Sequence, residues 1–190
     1  VAGVGTHPPS VSRGARRARL TRGTMDRLQP AAMDAPRFVE RPWTFAGLRR
    51  RHARKAGVRG ALDEHWCAAS ERFAKVGGRK DGAGYGLYYD LFAQREGFEM
   101  IAAVATDETA SRPATFEQLR VPTRRYAVFA HLGPVSRLRS TIWTAWYGWL
   151  PNLGLRSAGD SLTPDFIEVY GDDAGNTGRP AIEIWFPVRG

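Results

Sequence analysis

The sequence predicts an α+β fold in which a β-α-β-β unit occurs twice, as two pseudo-symmetric repeats that share an antiparallel sheet. Three observations support this prediction: two amphipathic helical stripes, a pair of short strands after each stripe, and an alternating strand near the C-terminal end. We expect both helices on one side of the sheet and a ligand cleft between the repeats. Repeat one is placed at about residues 36–110 and repeat two at about 120–190.

Residues 1–35 differ in composition from the rest of the chain. They contain six Arg and two Asp together with several Pro, Ser and Gly, and they lack apolar periodicity. Such a segment cannot bury enough apolar surface to offset the entropy lost on ordering, so we expect a disordered basic tail. If Met25 or Met33 is the natural start, the residues before it are not native. The alternative is an arm that binds nucleic acid.

Repeat one is expected to open with a strand over residues 37–48 and to continue as a basic loop over residues 49–59. Its helix is predicted from apolar side chains at alternating steps of four and three residues. They are Leu62, Trp66, Ala69, Phe73 and Val76. A glycine pair ends the helix, and two strands at 85–91 and 98–106 complete the repeat.

Repeat two is expected to open with a strand over residues 125–132, which a Gly-Pro pair ends. A helix follows, and Pro151 ends it. Its apolar face consists of Leu138, Ile142, Ala145, Trp146, Trp149 and Leu150. Two strands at 166–170 and 181–188 complete the repeat, with a turn rich in Gly and Asp between them.

The last strand indicates what each face of the sheet carries. With a period of two, its apolar residues point to the helix-covered core, whereas Glu183 and Trp185 point to the opposite face. In the strand before it, Glu168 and Tyr170 also share a face. We expect these side chains to line a groove away from the helices, which suits a flat cationic ligand. The alternative is that the glutamates are solvated strand residues and the tryptophans belong to the core.

Composition excludes several classes of function. No run of about 18 apolar residues occurs, so we expect no membrane-spanning helix. One cysteine, Cys67, and four scattered histidines provide neither a disulfide nor the spacing of a zinc site. We therefore expect no metal, no cofactor and a cytoplasmic location. Because nearly half of the net charge of +9 lies on residues 1–35, we expect neither nucleic acid nor a membrane as a partner of the folded domain.

Several motifs occur in one order along the second half of the chain. They are Phe116–Pro134, Trp143 with Tyr147, Trp149–Pro151, Pro164–Tyr170 and Glu183–Val188. In this order and spacing they resemble the GyrI-like small-molecule-binding domain, which is the effector-binding domain of bacterial multidrug-responsive transcription regulators. The resemblance covers about residues 36–190 and is strongest in the second half.

The resemblance implies a cleft that accepts hydrophobic, often cationic compounds. The pocket anion of that family falls on Glu183, and two of its wall residues fall on Trp143 and Tyr170. Where the family usually has Glu and Tyr, this chain has Ala105 and Leu155, which implies a more apolar pocket. With the residues from the face analysis and from the strands of repeat one, the candidate ligand-binding residues are Glu183, Trp185, Tyr170, Glu168, Trp143, Tyr147, Tyr88, Tyr89 and Ile101.

Outside the two repeats only the 35-residue tail remains, so we expect a stand-alone domain, monomeric or homodimeric, and not a complete regulator. Its predicted partner is a small lipophilic ligand, cationic or electrophilic and aromatic, which the domain binds or sequesters. Two alternatives stay open. One is a hydrolase of reactive small molecules in which Glu183 is the base and Tyr170 the proton donor. The other is a protein-interaction module of the gyrase-inhibitor type.

Overall fold

A computed structural model of the chain describes residues 33–92, 96–171 and 182–190. The tail predicted for residues 1–35 therefore lies, except for its last three residues, outside the described residues. The same holds for most of the turn predicted after residue 170. Within the described residues, no helix combines the length and the apolar character needed to cross a membrane.

The first half follows the predicted order of strand, helix, strand and strand. Its elements are β1 (Arg37–Ala53), α1 (Val58–Phe73), β2 (Gly84–Tyr89) and β3 (Gly97–Ala105). The basic loop predicted at 49–59 is wrong over its first part, because β1 stays paired with β3 as far as Ala53. Gly57, with φ of 84°, then turns the chain into α1, a conformation that glycine adopts without strain.

The second half contains a long strand, an interrupted helix and three further strands. Its elements are β4 (Glu117–His131), a 3-10 turn (Val135–Arg137), α2 (Leu138–Thr144), a π-helical turn (Ala145–Trp149), a last helical turn (Leu150–Asn152), β5 (Arg156–Ser157), β6 (Phe166–Tyr170) and β7 (Ile182–Arg189). β4 begins well before the predicted start at residue 125, because it pairs with β1 from Glu117 onward. The helix ends at Asn152, directly after the proline predicted to end it.

The seven strands in the described part of the chain form one antiparallel sheet in the order β4-β1-β3-β2-β6-β7-β5. β4 pairs with β1 on one side over residues 117–128 and with β7 on the other side over Tyr126–His131, so the sheet closes on itself. Both helices pack on one side of this closed sheet. The predicted α+β fold, with an antiparallel sheet and helices on one side, is confirmed. That the two halves are duplicates of each other stays a prediction.

The two faces of the sheet carry separate cores. The helix-side core includes Met100, Ala102, Phe129, Ile184 and Phe186. The helix-free face lies inside the closed sheet, where Trp43 on β1 is 5.3 Å from the ring centre of Tyr85 on β2 and 5.3 Å from that of Trp185 on β7. These three strands are not neighbours, so their rings meet across the interior. The groove predicted on this face is wrong, because closure of the sheet fills the face with aromatic side chains.

Candidate ligand-binding site

A cavity of about 820 Å³ lies between α1 and α2 on the helix side of the sheet. Strands β2, β3 and β6 form its floor. The loop before α1 and the turn before α2 form its mouth. Its volume falls within the range of about 300–1,000 Å³ that is typical of small-molecule sites.

Glu168 lies on β6 at the floor of the cavity and is 4% exposed. Its Oε2 accepts hydrogen bonds from the hydroxyls of Tyr88 and Tyr170, at 2.9 and 2.8 Å. Within the described residues, no cation pairs with Glu168 and no donor reaches its Oε1. A buried carboxylate in this state is costly to keep ionised, and a ligand that supplies a positive charge would offset that cost.

Burial raises the pKa of Glu168 from 4.5 to about 7. The two tyrosine hydrogen bonds favour the ionised form and oppose this shift only in part. Burial also raises the pKa values of Tyr88 and Tyr170, so both hydroxyls keep their protons and remain donors. Near neutral pH the Glu168 carboxyl group is therefore present in both forms, and a bound cation would shift it to the ionised one.

The floor of the cavity lies close to α1 because β2 has glycine at two positions on the same face, residues 84 and 86. A Cβ at Gly86 would lie 3.2 Å from the Trp66 ring and 3.3 Å from Glu168 Oε2, and a Cβ at Gly84 would lie 3.5 Å from the same ring. Alternate residues of a strand share a face, so both positions lie beneath Trp66. The indole thereby lies edge-on to Tyr170, with 5.2 Å between the ring centres.

Aromatic and aliphatic side chains cover most of the remaining cavity surface. Tyr88 stacks on Phe166, with ring centres 4.6 Å apart. α1 contributes Leu62, and α2 contributes Ile142 and Trp143. Walls of this kind favour flat apolar ligands, and each ring that faces a cation adds about 0.5–2 kcal/mol of attraction.

Four of the nine predicted ligand-binding residues line this cavity. They are Tyr88, Trp143, Glu168 and Tyr170. Glu168 and Tyr170 share a face, as the period of two predicts, but this face is on the helix side. The register between β6 and β7 sets this face. Glu168 pairs with Ile184 and Tyr170 pairs with Ile182, and both isoleucine side chains belong to the helix-side core. A register one residue different would have grouped them with Glu183.

Contrary to the prediction, the structure does not bring Glu183 and Trp185 together with Tyr170 and Trp143. Both lie on the helix-free face, where Glu183 accepts hydrogen bonds from Arg37 Nη2 at 2.7 Å and from Trp185 Nε1 at 2.9 Å. The Arg37 guanidinium is also 5.1 Å from the centre of the Trp185 ring. Glu183 thus has a counter-ion within the protein. The predicted catalytic pair of Glu183 and Tyr170 is separated by the sheet.

The other three predicted residues also lie outside the cavity. Tyr89 and Ile101 belong to the core inside the closed sheet, because each follows a residue that points to the helix side. Tyr147 is 63% exposed and stacks on Trp143, with ring centres 5.0 Å apart. It therefore supports a wall residue and does not line the cavity itself.

Sequence reasoning missed several residues of the site. The stripe that predicts α1 contains Leu62 and Trp66, but its spacing cannot distinguish a residue that lines a cavity from one that fills a core. Phe98 on the floor was missed for the same reason. The available signal was the pair Gly84 and Gly86, because alternating glycines in a strand indicate the close approach of another group.

Three buried histidines make hydrogen bonds within the protein. His52 Nε2 and His65 Nδ1 are 3.0 Å apart, and His65 Nε2 is 2.9 Å from the carbonyl oxygen of Leu48. His131 Nδ1 is 2.8 Å from the hydroxyl of Thr141. Burial lowers the pKa of His65 from 6.5 to about 4. No group of three or more His, Cys, Asp or Glu side chains in the described part of the chain could hold a metal ion.

Comparison with known proteins identifies both a family and a set of similar folds. The model of the GyrI-like small molecule binding domain family matches residues 36–189. No curated protein is significantly similar to the sequence. Among solved structures, SAV2435 bound to tetraphenylphosphonium has 16% sequence identity and a TM-score of 0.58, and the match covers 83% of this chain and 95% of that chain.

Two further solved structures have similar values. The EcmrR C-terminal domain has 17% identity and a TM-score of 0.58, over 84% of this chain and 99% of that chain. An integron cassette protein of Vibrio cholerae has 17% identity and a TM-score of 0.55, over 83% of this chain and 97% of that chain. At these identities the likeness shows a shared fold.

Proposed function

The chain belongs to the GyrI-like small molecule binding domain family, and we propose that its cavity captures lipophilic aromatic compounds that carry a positive charge. Glu168, and not the predicted Glu183, supplies the negative charge. Trp66, Trp143 and Tyr170 supply aromatic walls. The function is then to bind, and by binding to sequester, a small lipophilic cation.

One observation carries this proposal: at the floor of a large aromatic cavity lies a buried carboxylate that has no counter-ion among the described residues. Keeping an unpaired carboxylate ionised in such a place costs free energy, and the raised pKa of Glu168 expresses that cost. A ligand cation offsets it at the same time as the ligand's apolar surface leaves water. On the other face of the sheet, the guanidinium of Arg37 already offsets this cost for Glu183.

A protein of similar fold supports this choice of ligand class. SAV2435 is bound to tetraphenylphosphonium in its solved structure. That compound combines phenyl rings with a single positive charge that is shielded from water. The same combination suits a cavity with aromatic walls and one buried carboxylate.

Two ions of equal shape and opposite charge test the proposal. Isothermal titration calorimetry with tetraphenylphosphonium and tetraphenylborate should show preference for the cation. Glu168→Gln should weaken binding of the cation at least about tenfold, which is about 1.4 kcal/mol, and should not weaken binding of the anion. Glu183→Gln is the matched control and should change the affinity for the cation less than about twofold. Equal losses in the two variants would contradict the assignment of Glu168.

A hydrolytic activity is the second candidate, and the contacts of Glu168 favour it. A carboxyl group with a pKa of about 7 can act as a general base near neutral pH, and two tyrosine hydroxyls lie within 2.9 Å of it. In hydrolysis of an aryl epoxide, Glu168 would take a proton from water as the water oxygen bonds to carbon. The ring C–O bond would break, Tyr170 would protonate the leaving oxygen, and the proton held by Glu168 would then pass to Tyr170 along their hydrogen bond.

Diol formation from styrene oxide measures this activity. The second candidate predicts turnover by the wild type and its loss in both Glu168→Gln and Tyr170→Phe. Binding of the epoxide without any diol would leave capture as the function. Turnover that persists in Glu168→Gln would remove Glu168 from the mechanism.

A further inference from the structure

We propose that the cavity is built for ligands with two opposite charges, in which a cationic aromatic group reaches Glu168 and an anionic group stays at the mouth. This inference rests on the proposed function of the same cavity and narrows its ligand class to aromatic zwitterions. The anionic group is a carboxylate, a sulfonate or a phosphate, because these are the groups that clustered Arg and Lys side chains bind.

Charge is distributed unevenly along the depth of the cavity. Its floor holds the buried carboxylate of Glu168, whereas its mouth is lined by exposed cationic side chains. They are Arg54, Lys55, Arg59 and Arg139. Of the described residues that line the cavity, one exposed carboxylate, Asp63, lies among them. A cationic ligand that enters therefore passes an excess of positive charge before it reaches its counter-ion.

The mouth cations come from both sides of the cavity. Lys55 lies in the loop before α1, Arg59 in the first turn of α1, and Arg139 near the start of α2. Within the described residues, none of these three forms an ion pair. By contrast, Arg49, on β1 at a distance from the cavity, is held by Glu99 at 2.6 Å and by Glu117 at 2.7 Å.

Lys55, Arg59 and Arg139, which form no ion pair with the described residues, lie on opposite sides of the opening and provide an attractive position for an anion. Arg139 also lies over Trp143, with its guanidinium 5.8 Å from the ring centre, so an aromatic ligand body against Trp143 would carry a substituent toward Arg139. An anion at the mouth would offset the repulsion that a simple cation meets there. Because these side chains are exposed, the gain is modest and sensitive to salt.

Two isosteric probes separate the charge at the mouth from the charge at the floor. The probes are (4-carboxybutyl)triphenylphosphonium and its primary amide, which differ in the charge of the tail. We expect the wild type to bind the carboxylate about fivefold more tightly than the amide at low salt, which corresponds to about 1 kcal/mol from exposed charge contacts. The preference should shrink as sodium chloride is added.

Variants locate the source of the preference. In the double variant Arg59→Gln/Arg139→Gln, the preference for the carboxylate should fall below about twofold while the amide binds with unchanged or slightly higher affinity. Arg156→Gln, which removes one exposed positive charge on β5 outside the cavity lining, should keep the full preference. A full preference in the double variant would overturn the inference.

The outcomes distinguish failure of this inference from failure of the proposed function on which it rests. If the wild type binds both probes equally and Glu168→Gln weakens both, the zwitterion inference fails and the proposed function stands. If neither probe binds to the wild type, both fail together. If the carboxylate is preferred and the preference depends on Arg59 and Arg139, both are supported.

Discussion

Glu168 and Glu183 lie on neighbouring strands beside aromatic rings, but on opposite faces of the sheet. Glu183 is paired with Arg37 and with the indole of Trp185, whereas Glu168 receives hydrogen bonds from two neutral tyrosine hydroxyls. The face of Glu183 is closed and filled, and the face of Glu168 opens into a cavity between two helices. A carboxylate among aromatic rings therefore indicates a cation site only where the fold provides no internal counter-ion.

The largest expected effects come from removing one aromatic ring on each face of the sheet. A ring inside the closed sheet should matter most for stability, and a ring in the cavity wall should matter most for binding. Trp185→Ala removes a 6% exposed ring from inside the closed sheet and should lower the free energy of unfolding by about 3–5 kcal/mol. Trp66→Ala removes a half-buried ring from the cavity wall. It should destabilise less and should weaken tetraphenylphosphonium binding about tenfold.

Urea denaturation and calorimetric titration measure the two quantities, at a temperature where both variants remain folded. A larger loss of tetraphenylphosphonium affinity in folded Trp185→Ala than in Trp66→Ala would contradict this division between the faces. The ligand would then depend on the interior of the sheet.

The second effect concerns the pH dependence of stability. The pKa of Glu168 is about 7 in the folded protein, above its usual 4.5, so the folded state binds this proton more tightly than the unfolded state. The stabilisation that results is fully present below pH 4.5 and is lost as the pH rises through 7. The wild type should therefore lose up to about 3 kcal/mol relative to Glu168→Gln between pH 5 and pH 8.

Denaturant unfolding of both proteins at several pH values measures this difference. His65, with a pKa lowered to about 4, destabilises the folded state as the pH falls below 6.5, but it does so equally in both proteins. Its contribution therefore cancels in the difference. Parallel curves of stability against pH for the two proteins would show that the pKa of Glu168 is not raised.

The smallest of these effects concerns the approach of α1 to the floor of the cavity. Gly86→Ala places a methyl group 3.2 Å from the Trp66 ring and 3.3 Å from the Glu168 carboxylate, and should destabilise by about 1–3 kcal/mol while weakening ligand binding. Gly60→Ala is the matched control, because an added Cβ on this exposed helical position meets nothing within 4 Å. It should stabilise by about 0.5–1 kcal/mol. Thermal unfolding compares the two, and equal effects would contradict a tight contact beneath Trp66.

The sequence was sufficient to predict the elements and much of their orientation. The stripe from Leu62 to Val76 predicts α1, and the period of two in β7 correctly places Ile184 and Phe186 toward the helices and Trp185 away from them. Local spacing carries this information because the period of side chains follows directly from backbone geometry.

The location of the site could not be predicted in the same way. Whether Glu168 shares a face with Glu183 depends on the register between β6 and β7, and a shift of one residue reverses the answer. Closure of the sheet depends on β4 pairing with both β1 and β7, which is a long-range contact without a local signal. The departures at Ala105 and Leu155 imply a more apolar pocket, but they do not indicate which remaining carboxylate serves it.

Proton release on ligand binding tests the central claim most directly. At pH 7 the Glu168 carboxyl group is about half protonated in the free protein, and a cation beside it should ionise it fully. Titration with tetraphenylphosphonium in buffers of different ionisation enthalpy should therefore show release of roughly half a proton by the wild type and by Glu183→Gln, and none by Glu168→Gln. No release by the wild type, or undiminished release by Glu168→Gln, would contradict the assignment of Glu168 as the counter-ion of the ligand.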